Sequence, residues 1–278
     1  MKFDRTRLYL IPLGFIENDV ALNRLLHNQA TMDDPSKAAQ WHRVPSICLL
    51  IYQPKLGWVL VDTGSHKEAM NGYWPEEARM KTPLIRSNED MLEFRLSQLG
   101  LTPGDIDLLV LTHLHFDHAG NVNLFSGTKA GQRIIAHEAE IKQALYDTFL
   151  EGGKFTNGYM PADFIGVEKI AFDPIDDSVK LADDLELMWL PGHTPGSLGV
   201  KVDLKYTGTV IYTSDAVNSS ENFGPPIKLS AVFYDTVAMK KSIKKIQWLQ
   251  RQYNAMLVFG HDMKQFLELR WSPTGYYD

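Results

Sequence analysis

Thr112-His113-Leu114-His115-Phe116-Asp117-His118-Ala119-Gly120 puts three imidazoles and a carboxylate within six positions, directly behind the apolar run Leu108-Leu109-Val110-Leu111. The run reads as a strand buried on both faces. In an extended backbone, side chains two apart point the same way, so His113 and His115 leave the strand's carboxyl end together and can share one metal. Asp117 and His118 fall where the chain turns toward a short helix expected over 119–125, aimed at a neighbouring point that can take a second. A lone histidine at a strand end needs no explanation beyond a hydrogen bond. Four such groups together repel one another when protonated and need partners when desolvated, and a divalent cation answers both demands. Imidazole and carboxylate donors without a thiolate suit zinc, and also manganese, iron or cobalt. The absence of a CxxC points to an open catalytic site over a structural zinc knuckle.

Further along, other predicted strands end at similar groups. Runs at 185–190, 197–203 and 208–214 are β-like. The first stops at Leu190-Pro191-Gly192-His193-Thr194-Pro195-Gly196, a tight loop that fixes an imidazole. The third stops at Asp215, whose two oxygens can bridge two cations, and a run at 255–259 ends in Gly260-His261-Asp262. Earlier, Val61-Asp62-Thr63-Gly64 puts a carboxylate at a strand end. Asp62 can orient a metal-held histidine from behind or simply form the turn before glycine, and spacing leaves both open. With no low-complexity tract or linker, residues 1–278 are expected to form one domain with these strand ends on one sheet edge.

The remaining chain supplies the frame. A strand over 5–12 precedes a polar, irregular stretch to about residue 43, in which His27 and His42 are surface or packing residues. Pro54-Lys55-Leu56-Gly57 reads as a hairpin turn between strands at 46–53 and 58–63. A long loop over 65–87 holds Tyr73 and Trp74, and Ser87 with Asp90 forms a capping box before a helix that ends at Gly100. A helix over 138–146 leaves His137 a structural role, and 147–166 mixes glycines with aromatics as expected of a mobile wall over an apolar substrate. A last helix holds 239–253.

At 44% hydrophobic residues the chain can build a large core without staples. Its single cysteine, Cys48, lies in an apolar run and forms no intramolecular disulfide, which fits a reducing compartment and a cytoplasmic location. Pro12 and Gly14 interrupt the apolar stretch 8–16, so it reads as a strand and not as a signal peptide. No run approaches the roughly 18 apolar residues that span a bilayer. A net charge of −6 disfavours nucleic acid as partner, and Lys240, Lys241, Lys244 and Lys245 read as a solvated helix face.

Taken in order, the HxHxDH at His113 to His118, the GHTPG at Gly192 to Gly196, Ser214-Asp215-Ala216 and Gly260-His261-Asp262 resemble the metallo-β-lactamase superfamily, an α/β four-layer αββα sandwich with a dinuclear metal site. The wording His-Leu-His-Phe-Asp-His-Ala-Gly, the stretch Glu221-Asn222-Phe223-Gly224-Pro225-Pro226-Ile227-Lys228 and the ending after Gly260 resemble the N-acyl homoserine lactone lactonases within it. The resemblance implies one metal held by His113, His115 and His193, the other by Asp117, His118 and His261, with Asp215 bridging and Asp62 behind the site. It implies two divalent ions, zinc first, with cobalt, iron or manganese as alternatives. It also implies a bridging hydroxide that opens a lactone ring, and Asp117 carrying the proton to the leaving oxygen. Where the family has a tyrosine three residues after the bridging aspartate, this chain has Asn218, a shorter candidate donor to the oxyanion. Phe116, Tyr159 and Phe164 are the expected wall for the acyl chain. The expected partner is a small-molecule lactone, without nucleic acid or membrane and with a homodimer possible. Thioester hydrolysis of the glyoxalase II kind, or hydrolysis of another small lactone or ester, shares the same ligand pattern. Diiron redox relatives place a glutamate where His115 stands, and an inactive metal-binding module is the reading that Asn218 keeps open.

Overall fold

The computed structural model describes residues 3–278. Strands β1 (Arg7–Asp19), β2 (Trp41–Gln53), β3 (Gly57–Val61), β4 (Leu84–Ile85), β5 (Leu108–Val110), β6 (Ile134–His137) and β7 (Phe172–Ile175) form one sheet in the order β4-β1-β2-β3-β5-β6-β7. Strands β8 (Val179–Ala182), β9 (Leu185–Trp189), β10 (Leu198–Leu204), β11 (Gly208–Tyr212) and β12 (Met256–Val258) form the other, in the order β12-β11-β10-β9-β8.

Period-two alternation assigns each side chain of the first sheet to a layer. Leu8, Leu10, Leu49, Ile51, Val59, Val61, Leu108 and Val110 face Leu187, Val200 and Val202 of the second sheet, and the two faces share one core. Tyr9, Ile11, Cys48, Leu50, Leu60 and Leu109 point the other way, toward the helices Leu92–Ser97 and Glu138–Leu150. The outer face of the second sheet is covered by the helix Thr236–Tyr253, which buries Met239, Ile243 and Ile246 against Met188, Leu190 and Ile211. The layers therefore run helix, sheet, sheet, helix, as the resemblance implies.

The hairpin turn forms where its residues predict it, with the Leu56 N–H donating to the Gln53 carbonyl at 3.0 Å between antiparallel β2 and β3. The opening strand is longer than its sequence suggests. β1 passes Pro12 through a register shift between Pro12 and Phe15, with Gly14 at φ +96°. Gly14 is needed there, because a Cβ would stand 2.6 Å from that of Arg86. The extension carries Ile16 and Asn18 toward the site, and the stretch read as irregular begins only after Asp19. β7 and β8 carry half-exposed mixtures without clean alternation and were not legible. The helix after His137 continues to Leu150, past the expected end. Among the described residues no helix is long and apolar enough to cross a membrane.

Candidate metal centre

Strand ends from both sheets meet at one edge. β5 delivers His113 and His115, and the turn after it delivers Asp117 and His118. The loop between β9 and β10 brings His193, the end of β11 brings Asp215, and the end of β12 brings His261. Three overlapping groups have ligand atoms within 4.8 Å of one another: His113, His115 and His193; His113, His118 and Asp215; and Asp117, His118 and His261. His115 Nδ1 and His193 Nε2 stand 3.0 Å apart. Asp215 lies between the groups, with Oδ2 3.4 Å from His193 Nε2 and Oδ1 3.2 Å from His261 Nε2 and 3.5 Å from His118 Nε2. Asp117 Oδ2 is 3.6 Å from His118 Nε2 and 3.7 Å from His261 Nε2.

Four of the five imidazoles are turned by a contact on the other nitrogen. Asp62 Oδ2 is 2.9 Å from His118 Nδ1, the Val232 carbonyl 3.0 Å from His193 Nδ1 and the Pro45 carbonyl 2.8 Å from His261 Nδ1. Thr112 Oγ1 lies 3.1 Å from His113 Nδ1 and is itself held by Asp62 and Ser214. Carbonyl and carboxylate partners of this kind fix the tautomer and leave the other nitrogen free for a cation. Asp62 at φ +65° and Ser214 at φ +45° hold the left-handed conformation without being glycine, a strain found where the surrounding structure fixes a site.

The donor set fits divalent metal ions. His113 Nε2, His118 Nε2 and Asp215 Oδ1 are buried without a hydrogen-bond partner, and such groups are costly unless something outside the protein's own bonding completes them. Their electrostatics agree. Burial, with neighbouring imidazoles, pushes His113 and His115 well below the ordinary histidine range, and burial lowers His193. Burial also opposes charge on His118 and His261, but Asp117 and Asp215 outweigh it, lifting His118 well above the usual range and His261 to about 9. Burial works against ionising Asp215, yet His261 and His118 hold its carboxyl well below the carboxylate range. The carboxylates thus favour positive charge at this point, which a cation can supply.

A cavity of about 580 Å³ opens over the centre. Asp117, Asp215, Asn218 and His261 line its floor, Asn18 and Asn23 one flank, and Ile16, Val44, Ala78, Phe116 and Phe155 its apolar walls. Asn218 donates from Nδ2 to Asn23 Oδ1 at 3.3 Å, leaves Oδ1 unpartnered, and accepts the His261 N–H on its backbone carbonyl at 2.8 Å. Of the three aromatics expected at the acyl wall, Phe116 lines this cavity and the other two do not. Tyr159 is buried with its hydroxyl on Glu140 Oε1 at 3.1 Å, bordering a smaller side cavity of about 400 Å³. Phe164 packs against the core under the helices of the first sheet. Phe155, from the same aromatic stretch 147–166, lines the cavity. His42 contacts Asn23, and His137 caps its helix and stacks on Trp189 at 4.8 Å.

Known proteins agree with this architecture. The sequence pattern of the Metallo-beta-lactamase superfamily matches residues 43–261. The N-acyl homoserine lactonase AiiB of Agrobacterium fabrum is 32% identical over 285 residues, spanning 98% of this chain and 99% of that protein. The N-acyl homoserine lactonase AiiA of Bacillus thuringiensis subsp. kurstaki is 25% identical, spanning 96% and 97%. Among solved structures, an N-acyl homoserine lactone hydrolase with the product N-hexanoyl-L-homoserine at its catalytic metal centre superposes with a TM-score of 0.81 at 24% identity, over 99% of this chain and 100% of that one. The dizinc lactonase AidC superposes at 0.66 with 19% identity, over 95% and 90%, and both structures speak for the fold. Matched in pattern over most of its length and in sequence over nearly all of it, the chain belongs to the metallo-beta-lactamase superfamily.

Proposed function

We propose that the protein is a dinuclear-metal hydrolase that opens the lactone ring of N-acyl homoserine lactones. The observation that carries the reading is the set of seven imidazole and carboxylate side chains meeting beneath one largely apolar cavity, with buried ligand atoms that the protein leaves unpartnered. Relatives that span almost the whole chain and are named for this activity support it.

In this proposal His113, His115 and His193 would hold one ion and Asp117, His118 and His261 the other, with Asp215 between the two groups available to both. All-nitrogen and oxygen donors favour zinc. Two divalent ions held there supply the charge that makes water reactive at neutral pH and polarises a carbonyl. The chain does the rest. Ile16, Val44, Phe116 and Phe155 take the acyl chain and keep bulk water from the reacting ester. The Asn218 amide, on the floor beside His261, hydrogen-bonds the substrate carbonyl as its oxygen gains charge. Water oxygen bonds to the carbonyl carbon, the ring C–O bond breaks, and the alkoxide remains tethered to the product. Asp117, partly open to the cavity, carries the proton to that alkoxide, so the net change is addition of one water.

The test is a pH-stat assay of acyl homoserine lactones beside S-lactoylglutathione, joined to metal analysis. We expect preference for the lactones, loss of both metal and turnover in Asp215→Ala, and a fall in kcat of about 10²-fold with metal retained in Asn218→Ala. Full metal content and full lactonase rate in Asp215→Ala would refute the bridge. Preference for the thioester would refute the substrate.

A further inference from the structure

Behind the imidazoles stands a carboxylate for which the reaction above has no use. Glu140 lies in the first turn of the helix Glu138–Leu150, on the inward stripe with Ala144 and Thr148, and is completely buried. Its Oε1 accepts the Leu114 N–H at 2.9 Å and the Tyr159 hydroxyl at 3.1 Å, and its Oε2 accepts the Gly196 N–H at 3.2 Å. Burial raises this carboxyl above its ordinary range, while every one of these partners is a donor and so favours the ionised, acceptor-only form.

The three donors belong to three separate loops, and each loop touches an imidazole. Leu114 lies between His113 and His115, and Gly196 closes the tight loop that carries His193. Tyr159 sets its ring 5.0 Å from that of His115, and next to it Gly158 approaches so closely that a Cβ would stand 2.7 Å from the same imidazole. Gly196 is pressed onto the helix start as well, where a Cβ would meet Glu140 Cβ at 2.4 Å. Backbone bonds from the Leu198 N–H to the Thr112 carbonyl at 2.8 Å and from the Phe116 N–H to the Gly158 carbonyl at 2.9 Å also join these segments, and Glu140 is the side chain on which all three converge. In the other group Asp62 holds His118 and the Pro45 carbonyl holds His261, and neither of these supports is bonded to Glu140.

We propose that Glu140 is a positioning residue: its carboxylate ties together the loops carrying His113, His115 and His193 and sets the spacing of those imidazoles for one metal ion, leaving the other ion's ligands untouched. This rests on the dinuclear reading above. Removing a buried acceptor from two backbone N–H groups releases the loops, and partners of this kind weaken metal binding about 10–100-fold when lost.

The experiment is a titration of metal-free protein with cobalt(II), followed by its visible absorption, for the parent, Glu140→Gln and Glu140→Ala. The parent should take two ions; if it takes fewer, the dinuclear reading fails, independently of Glu140. In Glu140→Gln one acceptor oxygen becomes a donor facing another donor. We expect one ion to bind as in the parent and the other about 10–100-fold more weakly, and the same split in Glu140→Ala. A purely structural role would weaken both ions alike. Equal weakening, or two parent-like affinities, overturns the proposal. A second measurement needs no variant: in the metal-free parent, the Leu114 and Gly196 amide protons should exchange slowly and resonate downfield, as donors to a buried carboxylate, and exchange at ordinary loop rates contradicts the tie.

Discussion

Asp163 shows how one buried carboxyl governs stability away from the metal centre. Burial pushes it up to about 7, although the Tyr73 hydroxyl donates to its Oδ1 at 2.6 Å and pulls the other way. The folded value lies above the unfolded one of about 3.9, so the folded protein binds the extra proton between them. Stability is then fully present below about pH 4 and falls as pH rises through about 7. Asp163→Asn keeps an acceptor for Tyr73 and removes the charge. It should make the protein more stable at pH 8 by up to about 4 kcal/mol while changing little at pH 4, read from urea unfolding at the two pH values. An unchanged pH slope would contradict the assignment. The residues that carry the site differ in how far sequence announces them. His113, His115, Asp117 and His118 stand out because four ligand types crowd six positions. Glu140 does not, since a glutamate in a helix's first turn is ordinary; the available signal was its place on the stripe with Ala144 and Thr148. Tyr159 and Phe164 were expected against substrate on composition alone, and composition does not say which way a loop aromatic turns.

At the scale of elements, the helix Thr236–Tyr253 is anchored to the loop that carries His193. Asp235 caps it, accepting the N–H groups of Val237 and Ala238 at 2.7 and 3.0 Å, while the Tyr234 and Asp235 N–H groups donate to the Gly192 carbonyl at 2.8 and 3.0 Å. Gly192 packs so closely that a Cβ would lie 2.3 Å from the Met239 backbone. Asp235→Ala should cost about 1 kcal/mol in thermal or urea unfolding, with the metal ligands left in place; no loss would mean that the cap is idle. This helix was legible because its apolar positions recur at helical spacing over many turns. The second half of β1 was not. Pro12 and Gly14 read locally as an end, and it is pairing with β2 across Ile16↔Val44 and Asn18↔His42 that keeps the strand extended. β7 and β8 hold their places by pairing with β6 and β9, information that their own residues do not contain.

The whole molecule explains why the ligands lie so far apart in sequence. His113, His115, Asp117 and His118 come from the first sheet, and His193, Asp215 and His261 from the second, so the centre sits on the seam between two sheets that share a core. The β2–β3 hairpin and the strand ends that carry ligands followed from alternation and turn chemistry, and the resemblance carried by the ordered motifs implied the sandwich. The cavity above the seam was less legible, because Asn18, Leu22 and Asn23 enter it from a stretch that reads as irregular. The central claim is that this seam grips two cations. Crystals grown with zinc and measured at the zinc absorption edge test it most directly. The account predicts two anomalous peaks per chain, one among His113, His115 and His193 and one among Asp117, His118 and His261, both touching Asp215; a single peak, or none at the seam, would contradict it.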